Sequence, residues 1–175
     1  FQHISPVKRQ KQAEKLHAFQ VNGAFSIVQA NKKPVLANYT WKQRNKGFYR
    51  IRVASSLNLF TATIAGRPGS VTLWKSKNQH VVAPTPEALL EQEMGWKLPV
   101  RHLFYWIRGV AAPGKKRWKL DAYGHITSLV QQGWQIQYSN YTKINGIDLP
   151  RKTVLKRQGI RITIVMKRWI LTNKP

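Results

Sequence analysis

The sequence contains no cysteine. Disulfides, thiolate zinc sites, iron–sulfur clusters and cysteine nucleophiles are therefore excluded. Carboxylates are scarce: 6 Asp and Glu stand against 30 Lys and Arg, a formal charge of +24 over 175 residues. That excess calls for an anionic partner, whether a polyphosphate, an anionic membrane surface or an acidic protein, and charge alone does not choose among them. Long apolar runs are missing too. The longest, Leu103–Ile107, falls far short of the roughly 20 residues of a membrane-spanning helix. Phe1–Gln12 has no apolar core and does not read as a secretory signal. A chain opening on Phe is expected to be a trimmed one. Neither Gly-x-x-x-x-Gly-Lys-Ser/Thr nor Gly-x-Gly-x-x-Gly occurs, so nucleotide-driven work is not expected.

The residues that usually carry catalysis are present but unarranged. His3, His17, His80, His102 and His125 show no pairing at metal-ligand spacing and read as isolated surface or packing residues. Glu87 and Glu91 share a helix face at i, i+4, which a solvated face explains better than a catalytic pair. The Asn38-Tyr39-Thr40 and Asn140-Tyr141-Thr142 triplets fall on expected strands and read as chance glycosylation matches. No enzyme is expected, and no cofactor or metal.

Aromatic residues, by contrast, are plentiful: 7 Trp, 6 Tyr and 6 Phe argue for a folded core rather than disorder. The length predicts one domain, residues 1–175. Pro6–Phe19 reads as a helix with one thin apolar face, an N-terminal helical segment within residues 1–18. From Val21 the period switches to two. Alternating strands follow at Val21–Ile27, Val35–Lys42, Phe48–Val53 and Phe60–Ile64, and another starts at Val71 and Leu73. A lid of two helices is expected over residues 84–109. Thr85 and Pro86 open the first helix, and Val100, Leu103, Phe104 and Ile107 give the second an i, i+3, i+4, i+7 face. Further strands at Trp118–Ala122, Ile126–Val130, Trp134–Tyr138, Leu149–Lys156 and Ile160–Met166 complete the chain. Strands in meander order imply antiparallel pairing. The fold class expected is mainly β with helices: a curved antiparallel sheet or unclosed half-barrel under a helical lid.

Basic charge with aromatics on a sheet is also the pattern of single-strand nucleic-acid binders. Lys46–Val53 brushes the RNA-recognition signature, but Arg50 and Val53 occupy positions where that motif has aromatics. The aromatics also tend to fall on the apolar side of their strands. A basic single-stranded nucleic-acid-binding β-domain is thus the alternative reading.

The ordered set of motifs resembles the LolB family of outer-membrane lipoprotein receptors over nearly the whole chain. Its elements are Gly23-Ala24-Phe25, Trp41, Tyr49-Arg50-Ile51, Pro68 to Leu73, Gly95 to Val100, Trp106-Ile107-Arg108-Gly109, Trp134 and Ile160 to Ile170. The resemblance implies an unclosed antiparallel barrel with a helical lid over an apolar cavity. It implies acceptance of lipoproteins from the periplasmic carrier LolA and their insertion into the outer membrane, without nucleotide hydrolysis. Expected partners are LolA, lipoprotein acyl chains and outer-membrane lipid, with no nucleic acid, the protein acting as a monomer. The location implied is the periplasmic face of the outer membrane, lipid-anchored in the full-length protein. The family's acylated N-terminal Cys must then lie before Phe1 or have been removed. Leu57, in Ser55-Ser56-Leu57-Asn58, occupies the place of an exposed leucine implicated in membrane insertion. The family's flanking Pro and Gly are Ser56 and Asn58 here.

An acyl-chain cavity in such a half-barrel is expected to be lined by Phe25, Ile27, Ile51, Val53, Ile64, Leu73, Leu90, Leu103, Ile107, Ile136, Ile164 and Met166. Alternation alone identifies an inward face, so some of these can equally be ordinary core. Trp41, Trp106, Trp134 and Trp169 share that ambiguity.

Overall fold

The computed structural model describes residues 1–57 and 59–172, with Glu14 through its backbone alone. Helix α1 (Pro6–Glu14) begins where the Ser5 hydroxyl accepts a hydrogen bond from the Lys8 amide and Pro6 fills the first helical position. It ends earlier than its pattern predicts. The chain leaves the helix at Lys15, so that Leu16, Ala18 and Phe19 turn into the core. Phe19 does not end a helix but opens β1 (Phe19–Gln29), paired on one side with Gln43 and on the other with Leu171.

Five hairpin-linked strands follow: β2 (Val35–Asn45), β3 (Phe48–Ser55), β4 (Thr61–Arg67), β5 (Ser70–Ser76) and β6 (Gln79–Ala83). Their burial alternates with period two, as in β2, where Ala37, Tyr39, Trp41 and Gln43 face inward. Helices α2 (Pro86–Met94) and α3 (Val100–Trp106) come next. The Thr85 hydroxyl caps α2 by accepting from the Ala88 amide, 3.3 Å away. The chain closes with β7 (Arg117–Leu120), β8 (Ile126–Gln131), β9 (Trp134–Ser139), β10 (Thr142–Ile144), β11 (Ile147–Leu149), β12 (Lys152–Arg157) and β13 (Ile160–Leu171).

Eleven strands form one antiparallel sheet in the order β6-β5-β4-β3-β2-β1-β13-β12-β9-β8-β7, and β10 and β11 form a separate hairpin. The long first and last strands lie side by side near its middle. At their bulge beside Gly23, the backbones approach so closely that a β-carbon on Gly23 would overlap the Val165 carbonyl. No other residue fits there.

The sheet is not closed: β6 and β7 are its free edges. The chain runs from one edge to the other through α2 and α3, so the helices cross the open concave side. This is why two successive helices sit between strands without acting as parallel crossovers.

Other features also depart from the sequence pattern. The edge strand β6 was not expected, because Gln79-His80-Val81-Val82-Ala83 lacks alternation. The strand expected from Leu149 starts only at Lys152, since Leu149 belongs to the β10–β11 hairpin and Pro150 lacks a ladder donor. That hairpin turns on Asn145-Gly146, both at positive φ (49° and 83°), the most favourable two-residue hairpin turn.

Candidate functional site: an apolar cavity under the helical lid

The concave face carries a cavity bounded by Phe25, Tyr39, Trp41, Ile51, Val53, Ile64 and Ile164 from the sheet. Trp96 and Leu98 from the α2–α3 link, with Val100, Leu103 and Ile107 from the second lid helix and its end, close it from above. The sheet residues are cross-strand neighbours, with Phe25 opposite Ile164, Tyr39 opposite Val53, and Trp41 opposite Ile51, itself opposite Ile64. Such pairs are the unit of sheet stability and here also make one continuous apolar floor. The Trp96 ring meets Phe25 edge-on at 5.8 Å and tilts against Phe60 at 5.7 Å.

Among the described residues no polar surface faces the cavity. The polar ends of its aromatics are used elsewhere: the Tyr39 hydroxyl donates to the Val165 carbonyl (3.0 Å) and the Trp41 indole N–H to Gln43 Oε1 (2.8 Å). Burial pushes the Tyr39 phenol well above its ordinary range, so it stays a neutral donor.

The space open to the centre of a water molecule is about 40 Å³. That is room for a few atoms, against roughly 300–1,000 Å³ for sites that enclose organic ligands. The helices therefore leave little free volume over the sheet.

The lid is held unevenly. At its far end the Trp106 indole donates to Gln131 Oε1 (2.9 Å), and the Tyr138 hydroxyl donates to the Trp106 carbonyl (2.7 Å). Buried Arg108 donates to the carbonyls of Phe104 (2.8 Å), Leu16 (2.9 Å) and Ala13, with its guanidinium 4.2 Å from the Phe104 ring centre. Near the link the ties are weaker. Pro99 at the start of α3 has no capping side chain of its own, and the first turn is capped from α2, where a Glu87 carboxylate oxygen accepts from the Arg101 amide at 3.0 Å. The polar contacts there include an exposed bond from Lys32 Nζ to the Gly95 carbonyl (3.1 Å), a long one from the Lys97 amide to Gln29 Oε1 (3.5 Å), and the Lys75–Glu93 and Arg101–Glu87 pairs, which water partly screens.

Seven of the twelve expected lining residues bound this cavity: Phe25, Ile51, Val53, Ile64, Leu103, Ile107 and Ile164. The other five do not. Ile27, Leu73, Leu90, Ile136 and Met166 are buried in packed core. Ile136, for example, sits opposite Leu129 and Leu155 in the half of the sheet away from the cavity. Sequence reasoning omitted Tyr39, Trp96, Leu98 and Val100 and left Trp41 undecided. Tyr39 and Trp41 shared the inward phase of β2, which could have found them. Trp96 and Leu98 lie in a link without periodicity.

Leu57, in the β3–β4 loop, is 78% exposed, and its neighbour Leu59 is 80% exposed. Asn58 lies outside the described residues. The Ser55 hydroxyl accepts from the amides of Leu59 (2.6 Å) and Phe60 (3.2 Å).

A second cluster was not expected. Both ring nitrogens of buried His125 lie 2.8 Å from carboxylate oxygens, one of Asp121 and one of Asp148, and Arg9 bridges Asp148 at 3.0 Å. It joins α1 to the β7–β8 turn and the β10–β11 hairpin. Burial pushes both carboxyls up, but the hydrogen bonds from His125, and from Arg9 to Asp148, more than reverse this and hold them below the usual range.

An open antiparallel half-barrel, lidded by helices strung between its edges over a purely apolar hollow, defines the class. A LolA superfamily protein of Nitrosomonas europaea has the same fold at a TM-score of 0.59 and 11% identity, with 98% of this chain and 96% of that one covered. A DUF1329 family protein of Desulfovibrio piger also scores 0.59, with 96% and 94% covered. Sequence narrows the class. The family model described as outer membrane lipoprotein LolB matches residues 17–169, and the chain belongs to that family. Outer-membrane lipoprotein LolB of Coxiella burnetii is 44% identical over 155 residues, spanning 89% of this chain and 73% of that protein. Its counterpart in Pseudomonas fluorescens is 40% identical over 156 residues, spanning 89% and 75%.

Proposed function

We propose that this chain takes lipoproteins from a soluble LolA-type carrier at the periplasmic face of the outer membrane. It houses their acyl chains under the lid and passes them into the bilayer without nucleotide hydrolysis. Full-length protein would carry its own lipid anchor ahead of Phe1 and act as a monomer. The observation that carries the reading is the cavity, whose twelve lining residues present no polar surface. Such a hollow offers nothing to a polar substrate and much to an acyl chain, each methylene of which gains about 0.8 kcal/mol on leaving water.

The shut cavity makes lid movement part of the mechanism. The cargo chain replaces Trp96, Leu98, Val100 and Leu103 as cover for the floor, with the end of α3 pinned at Trp106 as the fixed point. Leu57 then helps the chain leave for the bilayer. Fluorescence titration with a diacylated peptide and its unacylated form tests this. Saturable binding of the first alone is expected. Equal binding of both, or of neither, would refute the proposal.

A further inference from the structure

The charge is distributed in an unusual way. No Asp or Glu occurs in residues 19–83 or 149–175, stretches that hold ten and eight Lys or Arg. Those stretches form β1–β6, β12 and β13, eight neighbouring strands of the sheet. On its outer face like charges stand directly opposite each other: Lys156 against Arg161, and Lys42 against Arg50, all four exposed. Among the described residues no ion pair involves any of the four. Like charges in register destabilise a sheet, so a partner that neutralises them has a purpose to serve.

The Lys156–Arg161 pair adjoins an apolar strip. Arg161 lies opposite Val28, which is 45% exposed, and Leu36, 59% exposed, is diagonal to Val28 on the next strand. The Leu36 carbonyl accepts from the Ser56 amide at 3.2 Å, which brings the β3–β4 loop with Leu57 and Leu59 alongside. The β1–β2 turn, with exposed Lys33, is at the same end of the sheet, because alternate hairpins of an antiparallel meander turn together. Cations beside a strip of exposed leucines fit an interface with water, phosphate and hydrocarbon in successive layers.

We propose that this outer rim docks on an anionic bilayer, with Lys33, Lys156 and Arg161 on lipid phosphates and Leu36, Leu57 and Leu59 in the headgroup layer. Docking here sets the lidded mouth beside the membrane that receives the cargo. The proposal rests on the transfer reading above but uses residues outside the cavity.

Vesicle flotation of the whole chain tests it, with phosphatidylglycerol–phosphatidylcholine vesicles against pure phosphatidylcholine. Clear preference for the anionic vesicles is expected. Lys156→Ser with Arg161→Ser should weaken that binding roughly tenfold or more. Its thermal midpoint should hold or rise, because the repulsive pair is gone, and its acylated-peptide titration should be unchanged. Lys15→Ser with Lys143→Ser, away from this rim, should bind like the wild type. Equal binding to both vesicle types, or wild-type binding by the Lys156/Arg161 variant, would overturn the proposal. So would single-stranded RNA that displaces the chain from anionic vesicles. If vesicles bind as expected while acylated peptide does not, the docking face stands and the cavity reading fails.

Discussion

Leu103→Ala separates a lid that moves from a helix that merely packs. Leu103 is 3% exposed and covers the cavity from α3. With the lid shut, the truncation removes buried methyls and enlarges a hollow, which costs about 2–3 kcal/mol. With the lid open, the same side chain stands in water and its loss costs almost nothing. The whole penalty therefore falls on the shut state. At 1.4 kcal/mol per decade the open population rises roughly 30- to 100-fold.

Stopped-flow uptake of a fluorescent fatty acid should speed up by about that factor if opening limits entry. The thermal midpoint should fall by roughly 2–4 °C for each kcal/mol lost. Leu129→Ala is the control: Leu129 is fully buried in β8 and does not line the cavity. It should lower the midpoint comparably and leave uptake unchanged. If Leu103→Ala destabilises without accelerating uptake, α3 is not a lid and the mechanism is wrong.

Two further outcomes are expected. Leu57→Glu should keep the wild-type midpoint and cargo uptake, because Leu57 is 78% exposed, yet slow delivery to liposomes; unaltered delivery would remove the loop from the mechanism. Asp121 and Asp148 titrate below their unfolded values, so their contribution to stability is complete above the unfolded carboxylate pKa of about 3.9 and is lost as pH falls through and below it. The thermal midpoint should therefore drop on acidification below about pH 4, and Asp148→Asn should lower it at neutral pH and flatten the acid limb.

Much of this fold could be read from alternation, because a half-barrel keeps one face of every strand dry. The inward phase of β1 to β4 identified Phe25, Ile51, Val53 and Ile64 as facing the hollow. The same logic overreached at Ile136 and Met166. Period two reports which face is inward and not what fills the space beyond it, and half the sheet packs solid while the other half leaves a gap. Trp96 was out of reach for a different reason: it sits in a link with no period, placed by the route of the chain between the two sheet edges. The Arg9–Asp148–His125–Asp121 cluster joins residues up to 139 positions apart, a pairing that local spacing cannot register.

Under the proposed function, a shut lid also bears on how transfer would run downhill without an energy source. Opening about the pinned end of α3 would uncover Trp96, Leu98, Val100 and Leu103, at about 1.5–3 kcal/mol each and so roughly 10 kcal/mol altogether. A sixteen-carbon acyl chain gains about 12 kcal/mol on leaving water. The two terms nearly cancel, so a chain is held only lightly, and a bilayer that offers the same burial without lid opening wins it. This balance predicts a steep dependence on chain length. Each methylene removed from the cargo should weaken binding about fourfold, the factor for 0.8 kcal/mol. Lengthening should stop helping once the opened hollow is full. Titration with acylated peptides of graded length reads both the slope and the plateau. A flat series would mean that the protein grips the peptide rather than its lipid, and the near-cancellation would no longer explain release.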